Sequence, residues 1–243
     1  MKVLILSDIH ANLSALEAVL RDARERWGDV PIIHLGDIVD YGMRPHQCIE
    51  LLRTLGKQVL LHLKGNHELA LLDQDCSRFS GERGREASRA TARILKDVDL
   101  SYIRDVYEDS PRELLLKGKR ILCVHGDLND PYWGTMSCEE GLNAAYMPYD
   151  YVVSGHTHIR FVREVFHPSE DKDAKRGKKR TVFINPGSVG QPRNHNPQAQ
   201  YALLDLEHGD IELRSVRYDI EHERSLFDGS VDSFYSERLV EGI

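Results

Sequence analysis

The sequence predicts an α/β fold built on a parallel sheet. Three apolar runs of strand length, residues 2–6, 31–35 and 57–63, follow one another near the start of the chain. Stretches with helical spacing separate them. Each run stops at a polar cluster: Ser7-Asp8, then Gly36-Asp37, then Gly65-Asn66-His67. The order strand–helix–strand–helix–strand implies parallel pairing. In open α/β sheets the carboxyl edge of the strands is where ligands bind.

The first run, Lys2-Val-Leu-Ile-Leu6, is followed by apolar residues at Leu13, Leu16, Val19, Leu20 and Ala23, a helical stripe. Ser14 and Glu17 have capping-box spacing and mark its start. Pro45 opens a second helix over about 45–55. Residues 73–110 are polar and charged, with helical stretches near 84–96 and 100–107, and read as an excursion over the sheet. Strands return at 113–117 and 120–124 around a tight turn at Lys117-Gly118-Lys119, and the second ends at His125-Gly126. A helix is expected near 137–145, then a strand over 150–153 that ends at Ser154-Gly155-His156-Thr157-His158. Residues 160–166 and 180–184 read as two strands joined by a charged loop, 167–179, whose basic run Lys172–Arg180 reads as a solvated hairpin tip, with a phosphate-attracting arm as the alternative. A last hairpin spans 199–206 and 210–217 around His208-Gly209. The polar tail from 223 onward is expected to be poorly ordered or to serve as a contact arm. With no internal repeat and no low-complexity linker, residues 1–243 read as one domain.

Composition narrows the function classes. The 243 residues carry 32 Lys and Arg against 39 Asp and Glu, a formal charge of −7. That balance opposes a general nucleic-acid coat protein, which would show a basic stripe. The apolar runs are too short for a membrane span, and the first ten residues are too short for a signal peptide. Cys48, Cys76, Cys123 and Cys138 include no C-x-x-C pair, which fits a reduced, cytoplasmic compartment.

Five strand ends deliver Asp8, His10, Asp37, Asn66, His67, His125, His156 and His158. Singly, each has an ordinary reading: Asp8 as a helix cap, Asp37 in an Asx-turn, His125 or His158 as a hydrogen-bonded loop residue. Jointly they are all Asp, Asn or His at the same end of the same kind of element. Such a set suits a centre of two divalent ions, Mn, Fe, Zn, Co or Ni rather than Ca, which prefers oxygen alone. Two such ions against the carboxylates of Asp8 and Asp37 leave roughly +2, which attracts phosphate and acidifies a bound water.

In order, Ser7-Asp-Ile-His10, Gly36-Asp-Ile-Val-Asp-Tyr-Gly42, Gly65-Asn-His-Glu68, His125-Gly126 and Gly155-His-Thr-His158 resemble the five motifs of the calcineurin-like metallophosphoesterases. Asp130-Pro-Tyr-Trp133 and Asn185-Pro-Gly-Ser-Val-Gly-Gln-Pro-Arg193 are similar to the YfcE-like small phosphodiesterase branch. The resemblance implies a four-layer α/β/β/α sandwich with two mixed sheets. It implies Asp8, His10, Asp37 and His158 as ligands of a first metal and Asp37, Asn66, His125 and His156 as ligands of a second, Asp37 bridging. It implies that His67 contacts the phosphate and protonates the leaving oxygen. Mn is the favoured metal, and the expected activity is hydrolysis of a small phosphodiester or nucleotide by a metal-bridging hydroxide.

Departures from the pattern leave rivals on the same site. Ala11 replaces a common Gly, and its Cβ could narrow the approach to the first metal. Tyr41 stands where protein phosphatases carry an Arg, whereas Glu68 gives the form common in those enzymes and in diadenosine tetraphosphatases. A Ser/Thr protein phosphatase and a dinucleoside-polyphosphate hydrolase are therefore the alternatives, with a non-catalytic scaffold behind them and a nuclease opposed by the acidic chain. Asn12 either caps a helix or points at substrate; Trp133 either stacks on a base or packs as core or lid; Arg193 either binds phosphate or lies on the surface. His34 and His62 read as core residues. The tail offers a place where a second copy of the chain could dock.

Overall fold

The computed structural model describes residues 1–136, 144–167 and 179–243. Two five-stranded mixed sheets pack face to face. The first has the order β10-β9-β1-β2-β3, with β1 (Lys2–Leu6), β2 (Ile32–His34), β3 (Val59–His62), β9 (Ala199–Asp205) and β10 (Ile211–Val216). The second has the order β4-β5-β6-β8-β7, with β4 (Arg112–Leu116), β5 (Lys119–Val124), β6 (Tyr151–Ser154), β7 (Phe161–Phe166) and β8 (Arg180–Asn185). β1–β3 are parallel, as are β5, β6 and β8; the hairpin strands are antiparallel.

Alternation along each strand divides the core into layers. In β1, Val3 and Ile5 face the second sheet and join Ile33, Cys123, Val153, Ile184 and Leu204 between the sheets. Leu4 and Leu6 face outward, onto α1 (Leu13–Trp27) and α2 (Pro45–Leu55), with Leu16, Val19, Ile49 and Leu52. On the far side, Leu122, Val124, Val152 and Phe183 pack with Tyr146. Strands buried on both faces read as continuous apolar runs, which is why they were visible in the sequence. Burying each such side chain stabilises by about 1.5–3 kcal/mol.

Local differences have physical causes. α1 begins at Leu13, not at Ser14, because Asn12 Oδ1 accepts the Ala15 amide at 3.1 Å and is the cap. Ser14 instead accepts from Arg44 Nη2 at 2.7 Å. The excursion holds α3 (Asn66–Asp73), α4 (Glu82–Ile94) and α5 (Asp97–Val106). Lys117 and Gly118, both at positive φ, close the β4–β5 hairpin. The tail folds into α6 (Ile220–Ser225) and α7 (Ser233–Glu241). Glu223 is buried there, paired with Arg44 and accepting the Ser14 amide at 2.7 Å, so α6 is fastened to α1 and to the turn before α2. Most of the helix expected near 137–145, Cys138 and nearly all of the charged loop 167–179 lie outside the described residues. Among the described residues no helix is long and apolar enough to cross a membrane.

Candidate metal centre

The ends of β1, β2, β3, β5 and β6 meet at one edge of the sandwich. The loops after β1 and β2 run side by side, with the amides of Asp8, His10 and Ala11 donating to the carbonyls of Gly36, Asp37 and Ile38 at 2.8–3.0 Å. Asp8, His10, Ala11, Asp37, Asp40, Tyr41, His156 and His158 all have φ between 47° and 67°. L-residues are held in this left-handed region only where the surroundings over-determine it, and such strain clusters at functional sites. Ala11 is one of them; its side chain is fully buried, so the consequence of replacing Gly is backbone strain rather than a narrowed opening. Gly65 is required for a different reason. A Cβ there would meet Asp37 Oδ1 at 2.1 Å and the Asp37 amide at 2.7 Å.

Glu68 organises this turn from below. Its carboxylate accepts the amides of Asp37 (2.7 Å), Ile38 (2.8 Å), Val39 (3.3 Å) and Gly65 (2.8 Å). Its place in the sequence reflects that scaffolding, which explains the residue without reference to substrate.

All seven predicted ligands come together. Asp8, His10, Asp37 and His158 offer atoms mutually within 4.8 Å, as do Asp37, His125 and His156. Asn66 joins the second group, its Oδ1 lying 3.0 Å from His125 Nε2 and 2.9 Å from His156 Nδ1. Backbone carbonyls set the tautomers. His10 Nδ1 donates to Val39 O (2.9 Å) and His158 Nδ1 to Gln191 O (2.5 Å), which leaves both Nε2 atoms with lone pairs. Those two atoms face each other at 3.1 Å, and Asp8 Oδ1 lies 3.3 Å from His158 Nε2. Both Asp8 oxygens are buried without a hydrogen-bond partner. In the second group His125 Nδ1 donates to Leu35 O (2.8 Å), and Nε2 faces Asp37 Oδ2 at 3.1 Å. Such a convergence of acceptors suits a cation, and the donor set of imidazole, carboxylate and amide oxygen fits divalent transition metals.

The titration behaviour agrees with that chemistry. Burial, reinforced by His67 and His158, keeps His10 neutral. Burial and then Arg193 lower His158, and burial and then His125 push His156 down to about 4. Neutral imidazoles are the ligating form. For His125, burial is outweighed by Asp37, which pushes it up to about 9. The negative charge that holds a proton on His125 would equally hold a metal ion. Asp37 stays well below the usual carboxylate range, burial being overcome by His125 and His67.

His67 stands apart from the ligand groups. Its Nδ1 lies 2.6 Å from Asp40 Oδ2 and its Nε2 3.9 Å from Asp37 Oδ2. Burial opposes its charge, but Asp37 and Asp40 raise its pKa above the ordinary value. Asp40 was not singled out in the sequence; its position three residues after Asp37, within the Gly36–Gly42 motif, was the available signal.

A cleft of about 670 Å³ opens onto the centre and is lined by Asp37, Asn66, His67, His156, His158 and, on its walls, Tyr41, Phe79, Trp133, Arg193, Tyr235 and Arg238. Trp133 lies edge-on to Phe79 (5.1 Å) and beneath the Arg78 guanidinium (5.2 Å). Asn12 is not in this cleft. It is 2% exposed, and its Nδ2 donates to Gly190 O and the Tyr218 hydroxyl, so the structure commits it to the fold and not to substrate. Arg238 and Tyr235 come from α7, a segment in which no site residue was expected.

Comparison with known proteins gives a consistent picture. The calcineurin-like phosphoesterase superfamily domain matches residues 1–209. The uncharacterized protein MJ0912 of Methanocaldococcus jannaschii is 32% identical over 229 residues, covering 90% of this chain and 88% of that protein. The phosphodiesterase YfcE of Escherichia coli is 26% identical over 219 residues, covering 84% and 88%. The crystal structure of a metallophosphoesterase from Sphaerobacter thermophilus superposes with a TM-score of 0.77 at 32% identity, covering all of both chains. A two-sheet sandwich, a His/Asp cluster at its edge and a family match over most of the sequence lead to one conclusion: the chain belongs to the calcineurin-like phosphoesterase superfamily, hydrolases of phosphate ester bonds.

Proposed function

We propose that the chain is a dinuclear metal-dependent phosphodiesterase acting on a small phosphodiester or nucleotide. The observation that carries this reading is the pair of acceptor groups joined through Asp37, with His67 poised beside them. Asp8, His10, Asp37 and His158 would hold one divalent ion, and Asp37, Asn66, His125 and His156 the other, with Mn favoured. Bound there, the two ions would activate water and neutralise phosphoryl charge.

The protein's own groups do the rest. Asp40 accepts the Nδ1 proton of His67, which leaves Nε2 facing the cleft, and together Asp37 and Asp40 raise the proton affinity of the ring. His67 Nε2 then donates to a phosphoryl oxygen and passes its proton to the leaving alkoxide. Arg193 adds a guanidinium to the cleft wall, and Trp133, backed by the buried Phe79, offers aromatic surface for a base. The similarity to YfcE supports a diester over a phosphoprotein.

The test is hydrolysis of bis-p-nitrophenyl phosphate beside p-nitrophenyl phosphate, using metal-stripped protein resupplied with Mn. Diester turnover that requires metal, two ions per chain by elemental analysis, and collapse in His67→Ala are expected. Monoester turnover alone would move the reading to a phosphatase. Turnover of neither, with metal bound, would count against an enzyme of this kind.

A further inference from the structure

Four arginines reach the cleft, and they differ in one respect. Arg78 pairs with Asp130, and Arg83 with Asp232 at 3.1 Å. Arg193 and Arg238 have no Asp or Glu partner among the described residues; Arg238 Nε donates to the Ile243 main-chain oxygen, whereas Arg193 Nε is buried with no hydrogen-bond partner. In a chain with net charge −7, two guanidiniums with no Asp or Glu partner face the same cavity as the candidate metal centre. Burial, and then the nearness of Arg193, depress Arg238 to about 10.

The pair is firmly built. Tyr235 stacks on Tyr41 at 4.3 Å, and Tyr41 lies against His10 at 4.4 Å. Gln191 Nε2 donates to Tyr235 O at 3.2 Å, and the His195 amide to Gly242 O at 2.7 Å. Thus α7 is tied to the loop carrying Arg193, and Arg238 is held in place by its own helix. The guanidinium of Arg238 also lies 5.1 Å from the Phe234 ring.

We propose that Arg238 and Arg193 form an anion subsite for a second phosphoryl group, so that the preferred substrates are nucleotide diesters that carry a further phosphoryl group beside the scissile one. This rests on the phosphodiesterase reading above. The scissile phosphate is met at the metal centre, and the single charge of a simple diester would leave both guanidiniums unmatched. A second phosphoryl group supplies a pair of neighbouring oxygens that the planar guanidinium fork can engage bidentately.

The experiment measures binding of three product-like probes, AMP, ADP and adenosine 3′,5′-bisphosphate, to the Mn-loaded protein by calorimetry at matched free Mn. One of the two-phosphate nucleotides should bind about tenfold tighter than AMP, the scale of a charge-assisted bidentate pair. In Arg238→Gln that advantage should fall below about threefold, and Arg238→Lys should retain an intermediate advantage. An ADP preference assigns an anhydride-linked second phosphate; a 3′,5′-bisphosphate preference assigns one across the ribose. Equal binding of all three, or an advantage that survives Arg238→Gln, would overturn the subsite. If Arg238→Gln does not fold, Arg238→Lys decides: an undiminished advantage overturns it. Calorimetry needs no turnover, so failure to hydrolyse diesters would reject the enzymatic reading separately.

Discussion

His67 Nδ1 lies 2.6 Å from Asp40 Oδ2, and both side chains are buried. The contact fixes which ring nitrogen faces the metal centre and raises the proton affinity of the ring. In the mechanism proposed above, Asp40 would be a positioning residue, acting on the substrate only through His67.

Asp40→Asn should weaken proton donation more than binding. We expect kcat to fall about tenfold for a p-nitrophenyl diester, whose leaving group needs little protonation. For an alkyl diester the fall should be about a hundredfold or more. Because Asp40 raises the His67 pKa, its loss should shift the alkaline limb of the pH–rate profile to lower pH. Profiles of both substrates, with KM measured alongside, check this.

Gly65→Ala should disable metal binding without removing a ligand. Its Cβ would lie 2.1 Å from Asp37 Oδ1, so Asp37 or the start of α3 must move. Bound metal per chain, read by elemental analysis, should drop and turnover with it. Unchanged stoichiometry would mean that the turn yields more readily than its packing indicates.

Glu223→Ala should destabilise the fold by about 3 kcal/mol, since it leaves Arg44 without its partner in a largely buried setting. Urea unfolding monitored by circular dichroism measures this. The same substitution should loosen α6, whose link to the first two helices runs through this carboxylate.

Stability should decline on acidification through His34 and His62. Burial, with a smaller push from neighbouring His62, lowers His34 to about 3, and burial lowers His62 to about 4. The unfolded chain takes up protons at these sites below about 6.5, while the folded chain does not until far lower pH. Folding free energy should therefore fall between pH 6.5 and about 4, by up to about 1.4 kcal/mol per pH unit for each histidine. His62→Phe, which keeps a ring against Tyr107 at the present 4.8 Å contact, should flatten that slope in urea titrations at several pH values.

The strands and the cluster of candidate ligands were legible from the chain alone. Strands buried on both faces must be continuously apolar, and ligands at their ends must be Asp, Asn or His, so both leave a local signature. Val3 to Leu6 and the residues Asp8 and His10 that follow are legible for this reason. Relations between segments far apart in the chain leave no such mark. Asn12 could have been a cap or a substrate contact until the Gly190 carbonyl and the Tyr218 hydroxyl were seen to take its amide. Asp40 is one polar residue in a polar turn until the ring of His67 is placed against it. Arg238 lies in a helix read from sequence only as a tail; stacking of Tyr235 on Tyr41 and hydrogen bonds from the 191–195 loop carry it to the cleft. Charges converge there through packing across the molecule, and only the tertiary structure decides which of them are left without a partner.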